Sequence, residues 1–512
     1  MAVKVNKWLV ALAVMLPTLM VIIDTSVVNV SLTHIRGSLS AGIDEATWSI
    51  TSYLAANAII IPMTGWLSRL IGRKRYLIIS VALFTLSSFF CGFAWNIQSL
   101  VIFRVMQGLA GGSLQPISQS ILLETFPPRQ HGMAMAIFGI GIMFGPIIGP
   151  VLGGWITDNL SWHWIFFINI PIGVVSILMS LFFIFDPSYM QRTRMRIDYL
   201  GLSLLALGVG CLQMILDRGE REDWFASDLM LSLGIISLIA LVLFTIVESF
   251  AEHPIMDFKV FKNSSFCLGN IAIFFFVMNL FGGLVILPIY MQTLMGYTAT
   301  LAGLALAPGG IANLLIMPVV GKLVSRFHPK VLIISGILVL AYSTFLMSRF
   351  TLAVDFDTIV WPRVIFGVGM GFIFIPLTTL TLSGIRKEEM ANATSIYNLV
   401  RNLGGSFGVA IVTTMLNRKA QFHQVRLVDR LTPYDMNYAL HAQQNASILQ
   451  YSGLDPLLAK QAGLGVIYQR MLQEASMLSF NDVFYFLTVM IILLIPIILL
   501  MKRPAHPAPE PS

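Results

Sequence analysis

The sequence predicts an all-α polytopic membrane protein: two six-helix bundles with two additional transmembrane helices between them. Three observations carry this. The 512 residues are 56% hydrophobic and only 11% charged, where a soluble domain holds roughly 25% charged residues, and the mean hydropathy is +0.81. Lys and Arg alternate between rich and poor loops along the whole chain. Two short elements recur in the second half in the same order.

Apolar runs of about 20 residues mark membrane spans, and about fourteen can be read. They cover 8–32, 47–67, 76–95, 98–123, 133–156, 163–185, 199–216, 228–248, 266–289, 299–323, 331–349, 360–383, 393–416 and 480–501. One set of loops carries Lys4 and Lys7; Arg69, Arg73, Lys74 and Arg75; Arg129; Arg192, Arg194 and Arg196; Lys259 and Lys262; Lys322, Arg326 and Lys330; Arg386 and Lys387; and Lys502 and Arg503. The alternate short loops carry Arg36, Arg218, Arg221 and Arg349. The positive-inside rule then puts both termini in the cytoplasm. It also explains the net charge of +7 without nucleic acid. The first apolar run contains Asp24 and lacks a small-residue cleavage site, so a retained helix is expected. Cys91, Cys211 and Cys267 fall inside spans and form neither a disulfide framework nor a metal-type spacing.

The second span ends Pro62-Met-Thr-Gly65-Trp-Leu67 and the tenth ends Pro318-Val-Val-Gly321-Lys-Leu323, each before a basic loop. The fourth contains Arg104-Val-Met-Gln-Gly108 with Pro116 beyond, and the twelfth Arg363-Val-Ile-Phe-Gly367 with Pro376 beyond. The offsets are 256 and 259 residues. Such a repeat implies duplication of a six-helix unit. The expected organisation is an N-terminal bundle over 1–186, a linker over 187–265 with two extra helices as a peripheral pair, and a C-terminal bundle over 266–512. One long non-cytoplasmic loop, 417–479, alternates polar and apolar residues at helical spacing, broken at Pro433 and at Gly453–Pro456. It predicts two or three amphipathic helices or a hairpin extending the last two spans. A functional loop is favoured over a mere connection at this length.

Ionisable groups at a helix centre in the bilayer cost at least ~2.5–3.5 kcal/mol each, and the clearest here are Asp24, Arg104, Arg363 and Arg401. Asp24 and Arg104 fall at comparable depth from the outer ends of their spans, ~13 Å and ~9 Å at 1.5 Å per residue. If their helices adjoin, the two charges pair. Burial raises a carboxylate's pKa and a nearby arginine lowers it, so such a site can exchange a proton as water access alternates. The plain alternative is a static ion pair that sets helix packing. Gln107, Gln115, Ser118 and Gln119 continue a polar strip along the same span, while Asn29, Asn57, Asn169, Asn279, Tyr290, Asn313, Tyr397, Asn398 and Asn402 add polar groups elsewhere, with Arg401 among them. Among 35 Phe and 27 Met, they suit an adaptable cavity for greasy ligands, because Met repacks easily.

Residues 141–154 read GIMFGPIIGPVLGG. Gly141, Gly145, Gly149 and Gly153 recur every fourth position with Pro146 and Pro150 among them, and Gly154 follows. In lipid a helix survives such residues and gains a bare face for close packing. The expectation is a hinge and seal facing the other half. Gly404-Gly-Ser406-Phe-Gly408 matches a hydrolase pattern that needs a strand–turn–helix context; inside a membrane helix it reads as small-residue packing. No P-loop and no H-E-x-x-H are present, and no catalytic cluster marks an enzyme.

These features together resemble the major facilitator superfamily over nearly the whole chain. Gly141-x-x-x-Gly145-Pro146-x-x-Gly149…Gly153-Gly154 resembles that superfamily's antiporter motif, found in exporters. Leu100-x-x-x-Arg104-x-x-Gln107-Gly108 resembles the helix 4 motif whose arginine is implicated in proton coupling. Asp24-Thr-Ser-Val-Val-Asn29-Val resembles the helix 1 motif of fourteen-helix drug:proton antiporters. Trp162-His-Trp-Ile-Phe-Phe-Ile-Asn169-Ile-Pro171-Ile-Gly173 and Leu216-Asp217-Arg218-Gly219…Asp223-Trp224-Phe225 resemble the EmrB-type branch of multidrug efflux pumps. The resemblance implies drug export driven by the proton gradient, without a cofactor, across a bacterial inner membrane. It also implies a periplasmic adaptor and an outer-membrane channel as partners. The superfamily's gating loop usually reads G-x-L-A-D-R-x-G-R; here it reads Gly65-Trp-Leu67-Ser68-Arg69-Leu70-Ile-Gly72-Arg73, with Arg69 where the acid is expected. Charge-relay gating through that acid cannot operate in the same form. A dedicated exporter of one metabolite or siderophore is the alternative with the same fold.

Overall fold

The computed structural model describes residues 6–186, 198–252, 254–429, 431–432 and 434–502, apart from the side chains at 43, 44, 146, 147, 150 and 299. The expectations for Lys4, Arg192, Arg194, Arg196, Pro433 and Arg503, and for the side chains of Pro146 and Pro150, lie outside the described residues.

The N-terminal half runs α1 (Lys7–Ser38), α2 (Ile43–Ile71), α3 (Arg73–Gly92), α4 (Ile97–Gly111), α5 (Leu114–Thr125), α6 (His131–Asn159), α7 (Trp164–Phe167) and α8 (Asn169–Phe183). Two helices follow, α9 (Tyr199–Arg218) and α10 (Asp228–Phe250). The C-terminal half runs α11 (Ser264–Thr293), α12 (Ala299–Leu323), α13 (Pro329–Met347), α14 (Phe356–Leu382), α15 (Met390–Val428), α16 (Met436–Tyr451), α17 (Pro456–Ile492) and α18 (Leu494–Leu500). Among the described residues, twelve helical segments are each long and apolar enough to cross a membrane. The interrupted α4–α5 and the 29-residue α6 complete the expected set.

Local chemistry sets the breaks. Pro116 has no N–H to give the carbonyl of Gly112, and its ring crowds that turn, so the helix divides between α4 and α5. Pro496 divides α17 from α18 by the same rule. Helix starts are capped by side chains that accept orphan N–H groups: Asn6, Asn96, Asp198, Asn263, Thr298, Asp355, Asp435 and Asp455. Gly72, at φ 93° between α2 and α3, takes a backbone conformation that side chains disfavour.

Lys7 donates to Gln130 beside Arg129, Ser265 beside Lys262 donates to the Lys502 carbonyl, and Lys330 donates to the Leu499 carbonyl, so the basic loops gather at one end of the bundle, hereafter the basic end. Within each half the repeat is visible in the packing. A methyl group on Gly108 of α4 would lie 2.5 Å from the carbonyl of Tyr53 in α2, and one on Gly367 of α14 would lie 1.9 Å from the carbonyl of Gly309 in α12. Between halves the symmetry repeats. Gly65 near the end of α2 rests on the backbone of Asn392 in α15, where a methyl would approach to 2.8 Å. Gly321 near the end of α12 rests on Gly132 of α6, whose own methyl would lie 2.7 Å from the Gly321 carbonyl. These close contacts gather in the basic half of the bundle.

The extra helices α9 and α10 pack on each other, and α9 also packs on α2 and α15. They form a strap across the outside of the joint. At the far end Asp217 accepts a hydrogen bond from Thr51 of α2, and Arg218 stacks 3.8 Å over Trp48. Trp224 donates to Thr414 of α15 at 3.0 Å, and Glu220 accepts from Asn417 at 2.8 Å. At the basic end Arg69 donates to the Pro254 carbonyl at 3.3 Å, and Asn392 exchanges hydrogen bonds with the backbone of Asp257.

The long loop is a hairpin. Residues 417–428 hold neither Gly nor Pro, so α15 runs on past the membrane to Val428, and α17 starts at Pro456, well before its apolar stretch. Asp482 joins the two arms through Lys419 and His423, each at 3.1 Å. The remaining helix, α16, lies against α17, with Gly463 allowing the backbone of Ala446 close approach.

Gly132→Val forces a branched side chain into the Gly321 carbonyl and should open the basic end. Spin labels at the exposed Arg129 and Arg326 will then report a longer distance than in the parent. An unchanged distance distribution would mean that this contact does not hold the halves closed.

Candidate functional site

Asp24 and Arg104 meet as a buried ion pair. The Arg104 Nη1 donates to Asp24 Oδ2 at 2.7 Å and to Gln107 Oε1 at 2.7 Å. The other carboxylate oxygen, Oδ1, accepts from Gln107 Nε2 at 3.0 Å and from Asn169 Nδ2 at 2.7 Å. Arg104 Nε donates to the Ser49 carbonyl at 3.1 Å, and the guanidinium lies 4.0 Å over the Tyr53 ring. Asp24, Arg104, Gln107 and Asn169 are each 0% exposed. Removing ions from water costs several kcal/mol apiece, and their attraction compensates only if further hydrogen bonds complete the geometry. Three donors on the carboxylate meet that condition.

Five helices supply this site. Helix α1 carries Asp24, α4 carries Arg104 and Gln107, and α2 offers the Ser49 carbonyl and the Tyr53 ring. Asn169 opens α8 and is held by Ser88 of α3 at 2.9 Å, while Ser88 donates to the Phe166 carbonyl. Gly173 lets α8 lie flush on α3, since a methyl there would fall 2.0 Å from Thr85 Oγ1. Gln107, expected to line a cavity, belongs instead to this network because it sits one turn from Arg104. Asn169, one of the scattered polar groups and part of the Trp162–Gly173 stretch, is a partner of Asp24 that sequence reasoning did not assign to it.

A second cluster joins the halves. Arg401 of α15 donates through Nη2 to Gln115 Oε1 of α5. One turn nearer the basic end, Asn398 donates to Gln119 Oε1 at 2.6 Å. Tyr397 shares a 2.6 Å hydrogen bond with Thr378, tying α15 to α14. The other cavity candidates lie elsewhere. Asn279 donates to the Leu487 carbonyl at 2.7 Å and joins α11 to α17. Tyr290 donates to the Thr351 carbonyl at 3.0 Å among Phe350 and Phe480, inside the C-terminal half. Asn29 is exposed on α1. Polarity in an apolar run does not tell a packing joint from a cavity wall, because both need buried hydrogen bonds.

The glycine run departs from expectation. Methyl groups on Gly141, Gly145, Gly149 and Gly153 would strike Met15, Ile22, Ser26 and Val27, all on α1 of the same half. The bare face therefore seats α6 on the helix that carries Asp24. Contact with the other half comes from earlier residues of α6: Gly132 against Gly321, and Gly139 against Met317 and Phe374. Gly154 faces open space. In the 65–73 loop, Arg73 pairs with Glu124 of α5 at 2.6 Å, both side chains nearly buried, and Ser120 donates to the same carboxylate at 3.0 Å. Glu124 was not anticipated, although an acid closing the fourth span beside a basic loop marks it. Ser406 of the discarded hydrolase pattern bonds Gln213 of α9 at 2.9 Å, and Gly404 and Gly408 press on the backbone of α11.

A family model described as Major Facilitator Superfamily matches residues 14–409. The chain belongs to the Major Facilitator Superfamily. It is therefore a membrane protein of a transporter family. It is 37% identical over 497 residues to the fatty acid resistance protein FarB of Neisseria gonorrhoeae, covering 97% of this chain and 96% of that one. It is 36% identical over 497 residues to the multidrug export protein EmrB of Escherichia coli (strain K12), covering 97% and 95%. Among solved structures, the human organic anion transporter MFSD10 aligns with TM-score 0.60 at 11% identity, covering 95% of this chain and 99% of that one. The proton:xylose symporter XylE aligns with TM-score 0.58 at 16% identity, covering 81% and 90%. At such identities the structures share the fold alone. Arg69 of the 65–73 loop turns to the Pro254 carbonyl, in the segment after α10, rather than to a helix of the other half.

The motif glycines should not be equivalent. Gly145→Val meets Ile22 at 2.1 Å and should cost about 1–3 kcal/mol by overpacking, with loss of transport. Gly154→Val should leave both unchanged. Thermal unfolding and transport by the two purified variants compare them directly.

Proposed function

We propose that this protein is a proton-driven exporter of hydrophobic and amphipathic drugs across a bacterial inner membrane, with both termini in the cytoplasm. The observation that carries the reading is the position of the Asp24 network. Asp24 sits on α1, α1 is seated on α6 by the glycine face, and α6 in turn presses on α12 and α14 of the other half. A change at the carboxylate thus has a packed route to the joint between halves.

When the site opens to the outside, Asp24 takes up a proton. The neutral acid no longer attracts Arg104, which keeps its bonds to Gln107 and Ser49. Helix α1 loosens from α4 and α8, and α6 carries that shift to α12. When the site opens to the cytoplasm, the proton leaves and Arg104, Gln107 and Asn169 recapture the carboxylate. The printed names of the relatives, multidrug export and fatty acid resistance, support drugs and amphipaths as cargo. The α15–α17 hairpin stands beyond the apolar spans on the side opposite the basic end. There it suits contact with a periplasmic adaptor, which would lead to an outer-membrane channel.

Asp24→Asn should abolish drug-induced proton release from the purified protein while sparing drug binding. A variant that still concentrates drug against a gradient would sink the mechanism. Replacing 431–455 by a short linker should spare drug-induced proton release but remove whole-cell resistance; unchanged resistance would reject the adaptor assignment.

A further inference from the structure

The two halves differ in buried charge. In the N-terminal half each buried arginine has an acid: Arg104 has Asp24, and Arg73 has Glu124. Between Ser264 and Arg418 the acids are Asp355, Asp357, Glu388 and Glu389, all at helix ends. Of the acids further on in that half, Asp482 of α17 is taken by Lys419 and His423, and among the described residues neither Arg363 nor Arg401 has a carboxylate partner. Arg363 is 5% exposed, with Nε and Nη1 lacking hydrogen-bond partners. Among the described residues Arg401 has a single side-chain acceptor, the neutral amide oxygen of Gln115, and its Nη1 is buried with none. A cation in hydrocarbon without a counter-ion is costly, and a guanidinium is a fork made for two parallel bonds to an anion.

Position separates the two arginines. Arg363 lies within its half, against the Gly309 backbone of α12. Arg401 lies at the joint, about 16 Å along α15 from its basic-end start, and Gln115 lies about 15 Å along α5. That depth is near the middle of a hydrocarbon core of about 30 Å. The Arg401–Gln115 bond crosses between halves, so it breaks when they part at the basic end. Gln119 and Asn398 separate with it, which clears the path from the cytoplasm to the guanidinium. The Phe138 ring, 6.0 Å from the Arg401 guanidinium, offers an apolar wall for a tail.

We propose that Arg401 anchors the headgroup of an amphipathic anion in the open state, and that Gln115 takes the headgroup's place on the guanidinium as the halves close. One guanidinium then has two alternative acceptors. The substrate anion is the stronger, and Gln115 arrives only with closure, from the opposite half. Closing thus displaces the headgroup toward the far end. Arg363 adds a second positive charge to the same half and favours anionic cargo over cationic. This inference rests on the export reading and names its substrate class.

The test uses two probes with the same tail and permanent opposite charges, dodecyl sulfonate and dodecyltrimethylammonium. Exchange of labelled for unlabelled probe is measured in proteoliposomes holding the full chain. Exchange needs no proton gradient, so its outcome is separate from that of Asp24→Asn. Wild type should exchange the sulfonate. Arg401→Gln should weaken its apparent affinity by about tenfold or more, the size of one charge-assisted hydrogen bond, and leave ammonium exchange unchanged. Arg401→Lys should recover most of the sulfonate exchange. Gln115→Glu, which supplies a fixed carboxylate to the guanidinium, should lower sulfonate exchange as Arg401→Gln does and spare the ammonium. Absence of sulfonate exchange in wild type would overturn the inference, whatever the ammonium does. Equal loss of both probes in Arg401→Gln would reduce the residue to a packing role and overturn it as well. Undiminished sulfonate exchange in Gln115→Glu would overturn the competition between the two acceptors.

Discussion

The ion pair of Asp24 and Arg104 stands where no water can serve it, and the N-terminal half is arranged around that fact. An ionised carboxylate in hydrocarbon needs its donors inside the protein. Helix α4 brings a cation and an amide, α8 brings another amide, and α3 holds that amide in place through Ser88. Helix α2 turns a carbonyl and an aromatic face to the guanidinium. Moving any of these helices alone would leave a buried polar group unpaired. The helices that surround Asp24 are therefore coupled by the need to keep it satisfied.

The joint between the halves obeys a different rule. Within the membrane there is little hydrophobic force to hold helices together, so close contact depends on small residues and hydrogen bonds. Both appear here in pseudo-symmetric pairs: α2 on α15 through Gly65, and α12 on α6 through Gly132 and Gly321. Between them run Gln115 to Arg401 and Gln119 to Asn398. Such contacts are individually weak. The α9–α10 strap and the segment after it add bonds to both halves at each end of the joint.

Several features were legible from the chain alone for plain reasons. Span positions follow from apolar length, and the internal repeat follows from matched Pro, Gly and Arg at a nearly constant offset. The pairing of Asp24 with Arg104 followed from cost: two rare charges at comparable depth have few other solutions. The extension of α15 and α17 into a hairpin was readable from helical spacing beyond the apolar runs. Residue roles were less legible. Gln107, Gln115 and Gln119 lie on one strip in sequence yet turn to three different partners, since a polar side chain is defined by the helix it meets. Asn279 and Tyr290 looked like cavity groups but close hydrogen bonds within the C-terminal half.

The glycine run marks the boundary between the two kinds of knowledge. Its four-residue spacing is enough to state that α6 has one bare face suited to close packing. Which helix fills that face is a property of three-dimensional neighbours, and the structure assigns it to α1 rather than to the other half. The same division holds for charge. The sequence by itself determined that the spans of the C-terminal half carry Arg363 and Arg401 in their interiors, while Asp482 keeps to the outer end of the last span. Only the tertiary structure decided that Arg401 faces Gln115 across the joint, because contact between residues 286 positions apart depends on how two bundles are set against each other.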